Sequence, residues 1–262
     1  MSIRTRHPHP QSCSYVSAPA VFLAAALCVW AQPAFANTSS AVGGPNVDKG
    51  KTIVEYRLAG SLDDDRASQD QNVRTRVHID HAFSDVYAAR LVYVIDRAKG
   101  GNFEADGISW QNRFHLIKKE QHGFDGGIRL NYTLADGDKE PDEISLRFYQ
   151  QIPLSFPAKG AELRFNQIFE HEMGDQSESG LIAEWRNQLT VPVGPDMRFG
   201  LDSFHDFGNL RHQSGWGAQS HALGPVFKAK FADVYSLEAA YRVGISTTAP
   251  DHSMTFIINR SW

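Results

Sequence analysis

Ile128-Arg129-Leu130-Asn131-Tyr132-Thr133-Leu134 and, a few residues on, Glu143-Ile144-Ser145-Leu146-Arg147-Phe148-Tyr149 decide how this chain is read. Apolar and polar side chains take turns, and a repeat of two sends them to opposite faces of an extended strand. The same alternation occurs upstream, where Val73, Val77, Ile79 and Phe83 interleave with Arg74, Arg76, His78 and Asp80. Helical spacing is absent from these stretches. Working outward gives twelve predicted strands. The first six are Thr52–Leu58, Val73–Phe83, Val86–Asp96, Ile108–Leu116, Phe124–Asp136 and Glu143–Leu154. The rest are Glu162–His171, Leu181–Val193, Met197–His205, Leu223–Phe231, Tyr235–Ile245 and Met254–Trp262. Mostly short connections, such as Ser84-Asp85 and Gly194-Pro195, alternate with longer polar ones, such as Ala59–Asn72 and Asp206–Ala222. Outer-membrane barrels show this asymmetry, with short periplasmic turns and longer outward loops.

The charges fall on one face. It carries Arg57, Arg74, Arg76, Arg90, Arg113, Arg129, Arg147, Arg164, Arg186, Arg198, Lys228, Lys230 and Arg242, together with acids such as Glu55, Asp80, Glu143, Glu162, Glu184, Asp202 and Glu238. The other face has only Asp136 and Arg260, both near strand ends. A basic side chain facing lipid at the midplane costs about 2–4 kcal/mol, so a barrel in lipid must turn its charges toward a wet lumen. A soluble antiparallel sandwich would do the reverse. Three features favour the barrel. The strands have the length of a tilted membrane crossing. Tyr56, Trp110, Trp185, Tyr235 and Tyr241 lie on the apolar face, where an interfacial girdle belongs. The chain ends on Trp262, in phase with Met254, Phe256 and Ile258.

The first residues read as an export signal. Arg4, Arg6, His7 and His9 precede an apolar run from Val21 to Ala31, and Ala34-Phe35-Ala36 is a small-x-small cleavage site. The run is too short to span a membrane. Leu27 before Cys28 argues against lipidation. Removing residues 1–36 takes away both cysteines, Cys13 and Cys28, which excludes disulfide scaffolds, cysteine nucleophiles and thiolate metal sites. The full chain has 26 basic and 30 acidic residues, and the loss of Arg4 and Arg6 leaves 24 against 30. This balance argues against a nucleic-acid partner. The expected organisation is a signal over 1–36, a polar lead-in over 37–51 and a barrel over 52–262.

From Gly200-Leu201-Asp202-Ser203-Phe204 onward the chain resembles a group of uncharacterised proteobacterial outer-membrane β-barrel proteins. His221-Ala222-Leu223-Gly224-Pro225-Val226, Tyr241-Arg242-Val243-Gly244-Ile245-Ser246-Thr247-Thr248-Ala249-Pro250-Asp251 and the terminal strand carry the likeness. The opening Gly50-Lys51-Thr52-Ile53-Val54-Glu55-Tyr56-Arg57 is similar to that group's first strand. The resemblance implies an outer-membrane barrel and supplies no activity. The ending around Trp262 also resembles the signal that barrel-insertion machinery recognises, with Arg260 standing where an apolar residue is usual. Pro225 cannot donate a ladder bond, so a bulge or a strand start is expected there.

The basic lining is the leading candidate site, because guanidinium forks match carboxylate and phosphate. The lining resembles that of twelve-stranded porins for acidic sugars. The residues singled out are Arg74, Arg76, Arg90, Arg113, Arg129, Arg147, Arg164 and Arg186, since their strands run consecutively. Against this, Arg and Glu on neighbouring strands could pair and fill the bore. His212-Gln213-Ser214 resembles the His-x-Ser pair of outer-membrane lipid hydrolases, but it falls in a glycine-punctuated loop. A metal site is not expected. His78 and Asp80 share a face that His81 does not, and His205, His212 and His221 span a long loop. Asp63-Asp64-Asp65 lacks the spaced ligands of a calcium loop. No cofactor motif is present. Asn112, Gln150, Gln167 and Asn187 fall in apolar phase, which suggests a partner or a second copy on that side.

The sequence thus points to an antiparallel, twelve-stranded transmembrane β-barrel among outer-membrane lipids, passing small hydrophilic solutes, anionic ones included. A lipid hydrolase using His212 and Ser214, and a non-conducting scaffold for a partner protein, are the alternatives.

Overall fold

The computed structural model describes residues 40–64, 70–136, 140–174, 177, 179–212 and 215–262. The first six strands are β1 (Thr52–Leu62), β2 (Val73–Ala82), β3 (Tyr87–Arg97), β4 (Glu104–Ile117), β5 (Asp125–Ala135) and β6 (Asp142–Leu154). The second six are β7 (Ala161–Met173), β8 (Ile182–Gly194), β9 (Met197–Asn209), β10 (Ser220–Phe231), β11 (Tyr235–Gly244) and β12 (His252–Ser261). Each pairs antiparallel with its chain neighbours, and β1 pairs with β12 from Ile53↔Ser261 to Leu62↔His252. The barrel is closed, so the sheet has no free edge.

All twelve expected strands are present, and the larger differences lie at their outward ends. β1 runs on to Leu62, β4 begins at Glu104 and β9 continues to Asn209. Above the apolar belt both faces of a hairpin can be polar, so the alternation that marks a strand in sequence fades before the strand does. A short helix, α1 (Lys119–His122), fills the β4–β5 turn.

Burial is inverted relative to a soluble domain. Leu91, Tyr93, Trp110, Leu130, Tyr132, Ile144, Phe199, Leu201, Met254 and Phe256 are exposed on the outside of the wall. Arg74, Asp80, Arg147, Arg186, Asp202 and Arg242 are buried inside it. This arrangement excludes the sandwich, because only lipid makes an apolar exterior around a charged interior favourable. Aromatic residues mark the periplasmic rim. His81, Phe83, Tyr87 and Phe114 form a chain of ring contacts 4.7–5.7 Å apart. Arg260, out of place in the apolar phase, lies over the rings of Trp262 (4.6 Å) and Tyr235 (5.5 Å). Its guanidinium thus reaches the interface with its charge held over aromatic faces.

Pro225 departs from both expectations. It sits within β10, opposite Leu201 of β9. On its other side the pairing passes from Leu223↔Val243 to Val226↔Ala240 with no slip in register. The missing donor therefore interrupts the ladder with no extra residue inserted. Gly224 makes this possible, since a Cβ there would lie 1.8 Å from the Tyr241 carbonyl oxygen.

Candidate functional site

The antiparallel register decides which lumen charges meet. Asp80 stands opposite Arg90, Arg74 opposite Asp96 and Lys228 opposite Glu238. Each of these becomes an ion pair: Arg90–Asp80 at 2.9 Å, Arg74–Asp96 at 3.0 Å and Lys228–Glu238 at 3.0 Å. Arg74 also reaches Asp106 (3.0 Å) and Glu140 (3.1 Å), and Arg113 reaches across to Asp80 at 3.1 Å. Arg164 pairs with Glu162 at 2.8 Å, and Arg186 with Glu184. On the β8–β12 side, Arg242 and Asp202 are almost fully buried and 2.6 Å apart. Gln188 donates to the same carboxylate, and Arg242 donates to Thr255 and lies 3.9 Å over the Phe204 ring.

A different pattern runs across β4, β5 and β6. Arg113 is opposite Arg129, and Arg129 is opposite Arg147, so three arginines form one cross-strand row. Arg57 and Arg76 likewise face each other on β1 and β2. Among the described residues Arg76, Arg129 and Arg147 have no acidic partner within ion-pair reach. Arg129 donates to Gln111 Oε1 at 3.1 Å, and Arg147 lies 5.9 Å from the Tyr149 ring. The Nε atoms of Arg76, Arg129 and Arg147 are buried without a partner. Of the eight arginines singled out from sequence, the structure therefore neutralises Arg74, Arg90, Arg113, Arg164 and Arg186 and leaves Arg76, Arg129 and Arg147 as the open charges. Periodicity shows only that an arginine faces inward. Arg164 and Arg186 pair with acids two residues back on their own strands. The pairs of Arg74, Arg90 and Arg113 depend instead on lateral register, which a single strand's pattern does not contain.

Two large cavities lie along the lumen among the described residues. The inner one, about 600 Å³, is lined by Arg57, Arg113, Arg164, Lys228 and Tyr149 among others. The outer one, about 500 Å³, is lined by Arg74, Arg76, Arg186, Glu143, Glu170 and Glu184 among others. Arg129 and Arg147 border both.

The stretch read from sequence as a polar lead-in is, in its described part, inside the barrel. Ala41, Val42, Gly43, Gly44 and Asn46 line the inner cavity, and Ser40 lines the outer one. Fully buried Asn166 accepts the Gly43 N–H at 2.9 Å and donates to the Gly43 carbonyl at 3.0 Å. Val47 packs with Ala82 and Ala88. The only signal for this in the sequence is the absence of charge from Asn37 to Val47, next to Asp48, Lys49 and Lys51.

The remaining candidates resolve as follows. His212 is exposed in a one-turn 3₁₀ segment, and Ser214 lies outside the described residues. His205 and His221 meet, with Nδ1 atoms 3.1 Å apart and Trp216 stacked on His221, but no cluster of three metal-ligating side chains occurs among the described residues. His78 bonds to Glu55, while His81 is 2.8 Å from Thr52 Oγ1. The backbone N–H of Asp64 donates to Asp251 across the loops, and Asp65 lies outside the described residues. Of the four outward amides, Asn112 accepts from Tyr87 and Trp110, and Asn187 donates to Ser203. Two of them thus find partners within the chain. Gln150 is exposed and Gln167 half-buried.

No family model matches the sequence, and no curated protein matches it. Solved structures do match the fold. The COG4313 outer membrane channel from Pseudomonas putida F1 aligns with TM-score 0.58 and 12% identity, over 85% of this chain and all of that one. NanC porin aligns with TM-score 0.54 and 8% identity, over 80% and 98%. KdgM porin aligns with TM-score 0.53 and 7% identity, over 80% and 99%. The fold is that of outer-membrane channel barrels.

Proposed function

We propose that this chain is a passive outer-membrane channel for small hydrophilic anions, with Arg129 and Arg147, extended by Arg76, as the charged wall along which they pass. The observation that carries this is the row Arg113-Arg129-Arg147. Like charges directly opposite on neighbouring strands destabilise a sheet. Here the charges stand at the junction of two cavities with no acid beside Arg129 or Arg147. A carboxylate or phosphate arriving there would accept two parallel hydrogen bonds from a guanidinium and replace part of its lost hydration. The anion can leave again because neighbouring forks compete for it along the path, as conduction requires. KdgM porin, similar in fold, has been solved in complex with disordered oligogalacturonate, which makes acidic sugars the first solutes to try.

The test is single-channel recording of the chain starting at Asn37, refolded in a planar bilayer under a salt gradient. Discrete steps with an anion-biased reversal potential are expected. Arg129→Gln with Arg147→Gln should move that potential toward zero. A folded, inserted and silent barrel would overturn the channel. No observation among the described residues favours the lipid hydrolase. The export signal over residues 1–36 is part of the proposal, and N-terminal sequencing of the membrane-inserted protein should begin at Asn37.

A further inference from the structure

An uncharged strap inside an arginine-lined lumen is not needed to build the wall. Ser40-Ala41-Val42-Gly43-Gly44-Pro45-Asn46-Val47 carries no titratable side chain, and its seat fits it closely. Pro45 is fully buried against Gly127, where a Cβ would stand 2.8 Å from the Pro45 Cβ. A Cβ on Gly44 would lie 2.5 Å from Gln151 Oε1, and one on Gly43 would lie 3.1 Å from the Tyr149 ring. Asn166 holds both backbone groups of Gly43, accepting from its N–H and donating to its carbonyl. On the wall Gly127 has no room for a Cβ, which would lie 2.3 Å from the Phe114 carbonyl oxygen. On the strap Gly43 and Gly44 fit closely against the Tyr149 ring and the end of the Gln151 side chain. The attachments are light: side-chain amide bonds and small apolar contacts, with no ion pair possible along Ser40–Val47. At its base the chain turns at Gly50, with φ of +80°, into β1. Its far end lines the outer cavity and its body the inner one, so the strap passes the level of Arg129 and Arg147 where the two cavities meet.

We propose that residues 40–47 are the constriction of the pore, a tethered strap that sets the bore at the arginine row and, when unseated, leaves one continuous lumen. This rests on the channel reading above. It adds what that reading lacks, a part of the chain that decides which anions are small enough to pass. The strap is neutral, so it narrows the path and leaves the arginine charges in place. Bore and charge selectivity are thus set by separate residues.

The experiment compares four forms of the chain starting at Asn37 in planar bilayers: intact, lacking residues 40–47, Asn166→Ala, and Gly44→Cys with Gln151→Cys. The last pair puts thiols at Gly44 and at Gln151, whose Oε1 would lie 2.5 Å from a Cβ on Gly44, in a chain with no other cysteine after Cys28. Thiol titration confirms the bridge. Folding of each form is checked by circular dichroism and heat-sensitive gel migration. The strapless form is expected to conduct at least threefold more than the intact one, with the same anion bias. Asn166→Ala should show intermittent openings to that larger level. The oxidised cysteine pair should lock the small level, and reduction should restore openings to the large one. Equal conductance in the strapless, oxidised and intact forms would overturn the strap while leaving the channel standing. A larger strapless conductance without anion bias would support the strap and sink the anion reading. Silence of every folded form would overturn both. If the strapless form does not fold, the cysteine pair still decides, because oxidised and reduced samples share one sequence.

Discussion

Arg147 and Arg242 are both buried guanidinium groups, and their surroundings give them opposite effects on stability. Arg242 has a carboxylate at 2.6 Å, a hydroxyl at 3.0 Å and an aromatic face at 3.9 Å. Removing its partner leaves a charge in a closed site, so Asp202→Ala should lower the unfolding free energy by about 3–5 kcal/mol, read as a lower urea midpoint in lipid vesicles. Arg147 has another arginine directly opposite and no acid beside it. Arg147→Gln should therefore leave stability unchanged or raise it by up to about 1 kcal/mol, while the reversal potential moves toward zero. A clear loss of stability in Arg147→Gln would mean that the row is neutralised within the chain. Both arginines look alike in sequence, each an inward residue on an alternating strand. What separates them is whether a nearby strand offers an acid at the same height: Asp202 of β9 reaches Arg242 of β11 across Gly224 of β10, and that depends on register.

At the scale of a strand the sequence is far more informative, because lipid enforces the alternation. Phe148, midway along β6, faces outward and Ser145 inward. Phe148→Arg should cost about 2–4 kcal/mol, and Ser145→Arg, which opens onto the outer cavity, should cost much less. Equal costs in equilibrium unfolding would contradict the assigned faces. The connections lack that constraint, and their contacts follow from side chains far apart in the chain. Asp70, before β2, is joined to Lys99, after β3, and also accepts the Asp63 N–H. The hydrogen bond from Lys99 holds the Asp70 carboxyl below its ordinary value. A lowered carboxylate contributes stability above the unfolded value, near pH 4, and loses it as pH falls through the folded value. Hydrogen exchange at the Gln71 N–H, bonded to Ser61 O, should stay slow down to about pH 4 and lose protection below it. Protection that persists well below pH 3 would show that the Lys99 contact does not hold this loop. The strap shows the limit of pattern reading. Residues 40–47 have neither a repeat of two nor charge, and an uncharged irregular stretch looks the same whether it lies in water or inside a barrel.

For the molecule as a whole, an anion path along the open charges would also admit salt, which screens them. The Debye length falls from about 10 Å at 0.1 M to about 3 Å at 1 M. The anion-to-cation permeability ratio should therefore fall steeply over that range in the intact channel. A ratio that does not change with salt would mean that passage is governed by contact geometry alone.

The seam between β1 and β12 bears on assembly. It joins the first strand to the last, so the wall cannot be sealed until the final residues of the chain are in hand. The strap is attached to β1 at its periplasmic end, beside that seam. Before sealing, the strap can swing into place sideways through the gap. After sealing it can enter or leave only lengthwise, through the mouth near Gly50. The order of events during insertion thus decides whether the strap is enclosed or left outside. A barrel made this way is built around its own stopper.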